Sequence, residues 1–289
     1  MSQRFRWCEL RMRKVGLFVL AGSLLLTGLG AHAAVNESSM KVTWGYKGSI
    51  GPEFWGRLSP EFILCGKGKE QSPVNIAQND QEAPNTLSMK YTPAPMFIME
   101  DGATNLLIGE HQLVVNDGHT VQVNFHQDGP PEYVIYKGEK YRLVQFHFHS
   151  PSENQLNGEA APLEVHFVHQ SDNGKVLVIG VLVKGGAANP ALETIIQHIP
   201  AADGKEYAVK DAKIFPADLM PLDNDHYSFP GSLTTPPCTE GLQWVVMAAT
   251  VTASPAEIAT IRHAIGGSNA RAVQPLNNRA IKYSISRSG

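Results

Sequence analysis

Two segments with a period of two constrain this chain most. One reads Gln145-Phe146-His147-Phe148-His149, the other Leu163-Glu164-Val165-His166-Phe167-Val168-His169. Alternation of this kind belongs to a β-strand, whose successive side chains point to opposite faces. His147 and His149 therefore share one face, with Phe146 and Phe148 on the other. In the second segment Glu164, His166 and Val168 share a face, opposite Leu163, Val165 and Phe167. If the two strands are neighbours, about 5 Å apart, three imidazoles converge on one point. Three protein nitrogens with a fourth position open is the geometry of a catalytic zinc, not of a closed structural site.

The rest of the chain reads as short β-branched and aromatic runs closed by turn residues. The runs are Leu106–Ile108, Gln112–Asn116, Val121–Phe125, Tyr133–Tyr136, Tyr141–His149, Leu163–His169, Val176–Lys184 and Gln243–Ala249. Val176–Lys184 is apolar on both faces, as a central strand is. Helices are few. Ser254-Pro255-Ala256-Glu257 is a capping box that opens a helix running to about Ile265, before Gly266. Asn189-Pro190 opens another, with Leu192, Ile195, Ile196 and Ile199 at helical spacing and Pro200 closing it. The pattern predicts a mainly β protein with peripheral helices.

Residues 1–33 have the features of a secretory signal: Arg11, Arg13 and Lys14, then an uncharged apolar run from Val15 to Gly30, then the small-residue site Ala31-His32-Ala33. The predicted mature chain, 34–289, is one domain. Met12 to Ala33 alone makes a more typical signal, which marks Met12 as an alternative start. The run is short for a membrane span of about 20 residues. Of the 24 Lys and Arg residues, five precede Ala34, as does one of the 27 acidic residues, so the mature part carries a formal net charge of −7. That balance argues against nucleic acid or an anionic membrane as a partner. Cys65 and Cys238 are the cysteines left after cleavage. A periplasmic or secreted location favours their pairing as a disulfide.

His-x-His occurs in other metal families. A metallo-β-lactamase needs His-x-His-x-Asp-His, and Ser150-Pro151-Ser152 rules that out. A cupin reading fits His147, His149 and Glu153, but the flanking glycines are replaced by Tyr141 and Ala160. The third ligand separates the readings: Glu153 in a cupin, His166 otherwise.

With the two histidine segments included, six motifs lie along the chain: Gly51-Pro52-Glu53-Phe54-Trp55, Gln71-Ser72-Pro73-Val74-Asn75-Ile76, Asn116-Asp117-Gly118-His119, Gln145-Phe146-His147-Phe148-His149, Glu164-Val165-His166 and Ser232-Leu233-Thr234-Thr235-Pro236-Pro237. Together they resemble the α-class carbonic anhydrases of the exported bacterial type, from Trp44 to Arg279. The resemblance implies a central, predominantly antiparallel, twisted sheet of about ten strands. It also implies one Zn²⁺ and reversible hydration of carbon dioxide to bicarbonate and a proton, by attack of zinc-bound hydroxide.

The same resemblance assigns roles. His147, His149 and His166 are the metal ligands, with Gln145, Glu164 and Asn269 behind them. Thr234, held by Glu153, orients the nucleophile, and Thr235 helps place bicarbonate. His119 is the proton shuttle; an unperturbed imidazole, with a pKa of about 6.5, suits that task. Val168, Val178, Leu233 and Trp244 form an apolar wall for the substrate. Tyr46, Asp117 and Gln122 line the water-ordering side of the cleft. Two readings compete: a non-catalytic relative kept as a binding module, which would lose a zinc histidine, and a zinc esterase, for which the sequence carries no large-substrate pocket.

Overall fold

The computed structural model describes residues 42–77, 81–100, 103–108, 111–116, 120–126, 132–200 and 205–286. Thirteen of the strands there form one sheet: β1 (Gln81–Pro84), β2 (Leu87–Lys90), β3 (Ala94–Glu100), β4 (Val121–Asn124), β5 (Tyr133–Tyr136), β6 (Glu139–His149), β7 (Leu163–Ser171), β8 (Val176–Gly185), β9 (Tyr207–Ile214), β10 (His226–Ser232), β11 (Glu240–Met247), β12 (Val251–Ala253) and β13 (Lys282–Ile285). Ten of them run in the order β9-β3-β4-β6-β7-β8-β11-β10-β13-β1, and three more lie off this path, so the sheet is somewhat larger than the ten or so strands expected. The sheet is mixed. Most neighbours are antiparallel, but β8 pairs in parallel with β11 and β12, and β13 with β1. A separate hairpin joins Ala103–Ile108 to His111–Asn116.

Each face of the sheet packs a core. Phe146, Phe148, Val165, Phe167, Ile179 and Val245 belong to the larger apolar cluster. Val168, Val178, Leu182, Trp244 and Val246 belong to the other. β8 lies between β7 and β11 and is buried along most of its length, as its unbroken apolar run requires. Alternation along β6 is interrupted once. Gln145 opposes Val168 while Leu143 opposes His169, which leaves Val144 as a bulge. The extra residue puts Tyr141 and Leu143 in the larger core, on the face that strict alternation would give to the histidines.

The two expected helices are present. Pro190–Ile196 is capped by the Asn189 side chain and stops earlier than the apolar spacing suggested, with Gln197 at its C-cap. Pro255–Ala264 carries the full capping box of Ser254 and Glu257. Strands β1, β2, β3, β9, β10, β12 and β13 were not legible in the sequence. β9 is interrupted by charged residues, and β10 contains Pro230, which sits beyond the stretch of β10 paired with β13. No helix among the described residues is long and apolar enough to cross a membrane.

Candidate metal centre

Register alone brings the histidines together. His166 on β7 stands opposite His147 on β6, and Glu164 stands opposite His149. One ring nitrogen from each of His147, His149 and His166 lies within 4.8 Å of the other two. All three residues are buried. Ring centroids are 5.0 Å apart for His147 and His149, 5.3 Å for His147 and His166, and 4.5 Å for His149 and His166.

Each ring also meets an acceptor with its other nitrogen. His147 Nδ1 lies 2.8 Å from Gln145 Oε1. His149 Nδ1 lies 2.9 Å from the main-chain oxygen of Asn269. His166 Nε2 is 3.1 Å from Glu164 Oε1, close but off the axis of a full hydrogen bond. Acceptors placed this way fix the tautomer and leave the opposite lone pair for a metal. Burial, followed by the charge of neighbouring imidazoles, pushes His147 and His166 well below the usual histidine range, so both are neutral at pH 7. The Nε2 of His149 has no hydrogen-bond partner although it is buried. An orphaned buried nitrogen beside two neutral imidazoles fits a divalent cation, and the all-nitrogen donor set fits Zn²⁺.

Glu164 has a second task. Its Oε2 accepts from the backbone N–H of Glu153 and of Asn154, each at 2.8 Å, and its Oε1 accepts from Asn154 Nδ2 at 2.8 Å. The loop bearing Glu153 is thereby tied to the strand bearing His166. Asn154 was not read as a site residue; adjacency to Glu153 was its only sequence signal. Asn269 is tied as tightly, with Oδ1 accepting from Ser150 N and Nδ2 donating to Phe148 O, both at 2.9 Å.

Glu153 Oε1 accepts from Arg271 N at 2.8 Å, and its Oε2 faces His149 Nε2 at 3.5 Å and His166 Nδ1 at 3.8 Å. Burial pushes this carboxyl up to about 8, against the pull of the Arg271 N–H and the Thr234 hydroxyl. A divalent cation nearby would favour the ionised form again. The group whose ligand atoms all lie within 4.8 Å of one another comprises the three histidines and does not include Glu153.

Three of the residues expected to form the apolar wall lie side by side on neighbouring strands. Val168 on β7 stands opposite Val178 on β8, which stands opposite Trp244 on β11. Trp244 meets the His166 ring edge-on, with centroids 4.9 Å apart at 81°. Leu233 belongs to the same cluster. Thr234 and Thr235 are buried beside it, and Thr235 O accepts from Cys238 N at 2.8 Å. Gln122 on β4 stands opposite His147 and donates to Asn124 Oδ1. Tyr46 packs edge-on against Trp44 and Trp55. His119 and Asp117 lie outside the described residues. Cys65 and Cys238 form the expected disulfide, 173 positions apart in sequence.

Comparison with known proteins agrees with this geometry. Residues 50–285 match the family model described as eukaryotic-type carbonic anhydrase. A carbonic anhydrase from Neisseria gonorrhoeae is 41% identical over 263 residues, covering 91% of this chain and 95% of that protein. One from Pectobacterium carotovorum is 40% identical over 240 residues, 83% and 90% of the two chains. An α-carbonic anhydrase from Thermovibrio ammonificans, solved with the inhibitor sulfanilamide, superposes with a TM-score of 0.73 at 38% identity, covering 83% of this chain and 99% of that one. The chain belongs to the eukaryotic-type, or α-class, carbonic anhydrase family and is a carbonate dehydratase.

Proposed function

We propose that His147, His149 and His166 hold one Zn²⁺ and that the protein hydrates carbon dioxide there in an exported, oxidising compartment. The supporting observation is the trio of buried rings, two with the second nitrogen hydrogen-bonded to an acceptor and the third with Glu164 Oε1 3.1 Å from its own. When bound, Zn²⁺ lowers the pKa of its water to about 7, the value established for carbonic anhydrases as a class, and so supplies a nucleophile at neutral pH.

The protein's own groups orient, shield and discharge that chemistry. An ionised Glu153 can only accept hydrogen bonds. It accepts a hydrogen bond donated by the Thr234 hydroxyl, so the Thr234 oxygen must in turn accept from the nucleophile. A nucleophile held by its one proton turns a lone pair to the substrate. Val168, Val178, Leu233 and Trp244 keep water from the position where an apolar molecule must lie. Thr235 binds the bicarbonate product. His119 accepts the released proton on an imidazole nitrogen, through water ordered by Tyr46, Asp117 and Gln122.

Export follows from the signal features of residues 1–33, and the Cys65–Cys238 bond supports it. The substrate is small, and neither nucleic acid nor, after cleavage, a membrane is a partner. Stopped-flow carbon dioxide hydration on the purified protein tests the reading. Activity should vanish when a chelator strips the metal and return with one equivalent of zinc. Activity that survives complete zinc removal would contradict it.

A further inference from the structure

Gly180 occupies the interior of β8, directly opposite His166 on β7 and Val246 on β11. Glycine weakens a strand interior and leaves nothing to pack. Its φ is not in the left-handed region, so the backbone does not demand it. The reason lies beside it. A Cβ built on Gly180 would sit 2.6 Å from Glu164 Oε1, while the next neighbour, Val246 Cγ2, stays at an ordinary 3.6 Å. The conflict is with one carboxylate alone.

That carboxylate has no cheap escape. Both oxygens are committed to Glu153 N, Asn154 N and Asn154 Nδ2, and the side chain is fully buried. Displacing Oε1 from a residue-180 methyl would also move it off His166 Nε2, now 3.1 Å away. We propose that Gly180 is a positioning residue: the side chain it lacks is the space that lets Glu164 reach across to β8 while holding both the His166 ring and the Glu153 loop. The expected effect on metal retention rests on the zinc reading; the effect on the His166 ring does not.

The test is a double-mutant cycle of Gly180→Ala with Glu164→Ala, read in two ways. The first is release of zinc into a chromogenic chelator. Gly180→Ala should speed release about 10- to 100-fold, the range found when partners behind a ligand are lost. Adding it to Glu164→Ala should change nothing further, because the clash is gone. The second is the nitrogen NMR signature of His166 in metal-free protein. Wild type should show the Nε2–H tautomer, Gly180→Ala should move the population towards Nδ1–H, and the double variant should match Glu164→Ala. If Gly180→Ala fails to fold, the double variant should recover the yield of Glu164→Ala. The proposal is overturned if Gly180→Ala stays within twofold of wild type in both readings, if its effect multiplies with that of Glu164→Ala, or if the double variant fails to fold where Glu164→Ala succeeds. A wild type that takes up no zinc would refute the metal reading, while the metal-free tautomer comparison would still decide the role of Gly180.

Discussion

Glu153→Gln isolates the polarity of the proposed gate. In wild type one carboxylate oxygen accepts from Arg271 N at 2.8 Å, and the other, Oε2, has no hydrogen-bond partner and is the one proposed to take the Thr234 hydroxyl. A glutamine keeps the volume. Its amide oxygen must stay on the Arg271 N–H, since a buried unpaired donor costs about 1–3 kcal/mol. Its NH₂ then points to Thr234 as a donor. The Thr234 oxygen accepts from the amide, and its own proton turns towards the metal, where it competes for the lone pair meant for the substrate. One interaction aimed at the reacting centre is lost and one of the wrong sense is gained. Removal of a single preorganised contact of this kind costs about 10²–10³ in rate, or roughly 3–4 kcal/mol. Stopped-flow hydration, with zinc content measured on the same sample, should show that loss in kcat/KM at full zinc occupancy. Thr234→Val should lose a similar factor, and the double variant little more than either, because the two residues act as a unit. A fully zinc-loaded Glu153→Gln enzyme within threefold of wild type would refute the reasoning, as would losses that multiply.

Other consequences are smaller to state. The raised Glu153 carboxyl, at about 8, makes folding of metal-free protein favour the protonated form. Its contribution is fully present below about pH 4.5 and is lost as pH rises to about 8, up to about 5 kcal/mol; denaturant titrations should show that loss in wild type and not in Glu153→Gln. His169 behaves oppositely. Burial pulls it down to about 3, and its Nε2 lies 2.7 Å from Tyr91 OH. Stability from its neutral form is present above about pH 6.5 and falls as pH drops towards 3, so the acid limb should flatten in Tyr91→Phe/His169→Leu. Opening the Cys65–Cys238 loop, 173 positions long, should cost about 5 kcal/mol by chain entropy and lower Tm by roughly 10–20 °C under reducing conditions. His119→Ala should slow turnover in weak buffer, with recovery in small imidazole buffers; full activity without rescue would remove the shuttle.

The sheet's centre was legible because burial on one or both faces writes a period of two, or an unbroken apolar run, into β6, β7 and β8. The same period put His147 and His149 on one face of their strand and His166 on one face of its own, while the adjacency of the two strands is set by pairing that local pattern does not report. The period failed where the backbone breaks its own rule: the Val144 bulge reassigns Tyr141 and Leu143 to the other core. Strands such as β9 carry Lys and Asp, and their pairing is set by the neighbouring β3, which local pattern does not report. At the site, ligands were readable because their chemistry is unusual for a strand. Asn154 and Gly180 were not, because one acts through backbone and amide donors and the other through an absent atom.

The account stands on a zinc ion among three particular nitrogens. Anomalous scattering at the zinc edge from crystals of the zinc-loaded protein tests this most directly. One peak is expected at about 2.0–2.1 Å from His147 Nε2, His149 Nε2 and His166 Nδ1, with an oxygen in the fourth position. A peak ligated by Glu153 in place of His166, or no peak between the rings after zinc loading, would contradict it.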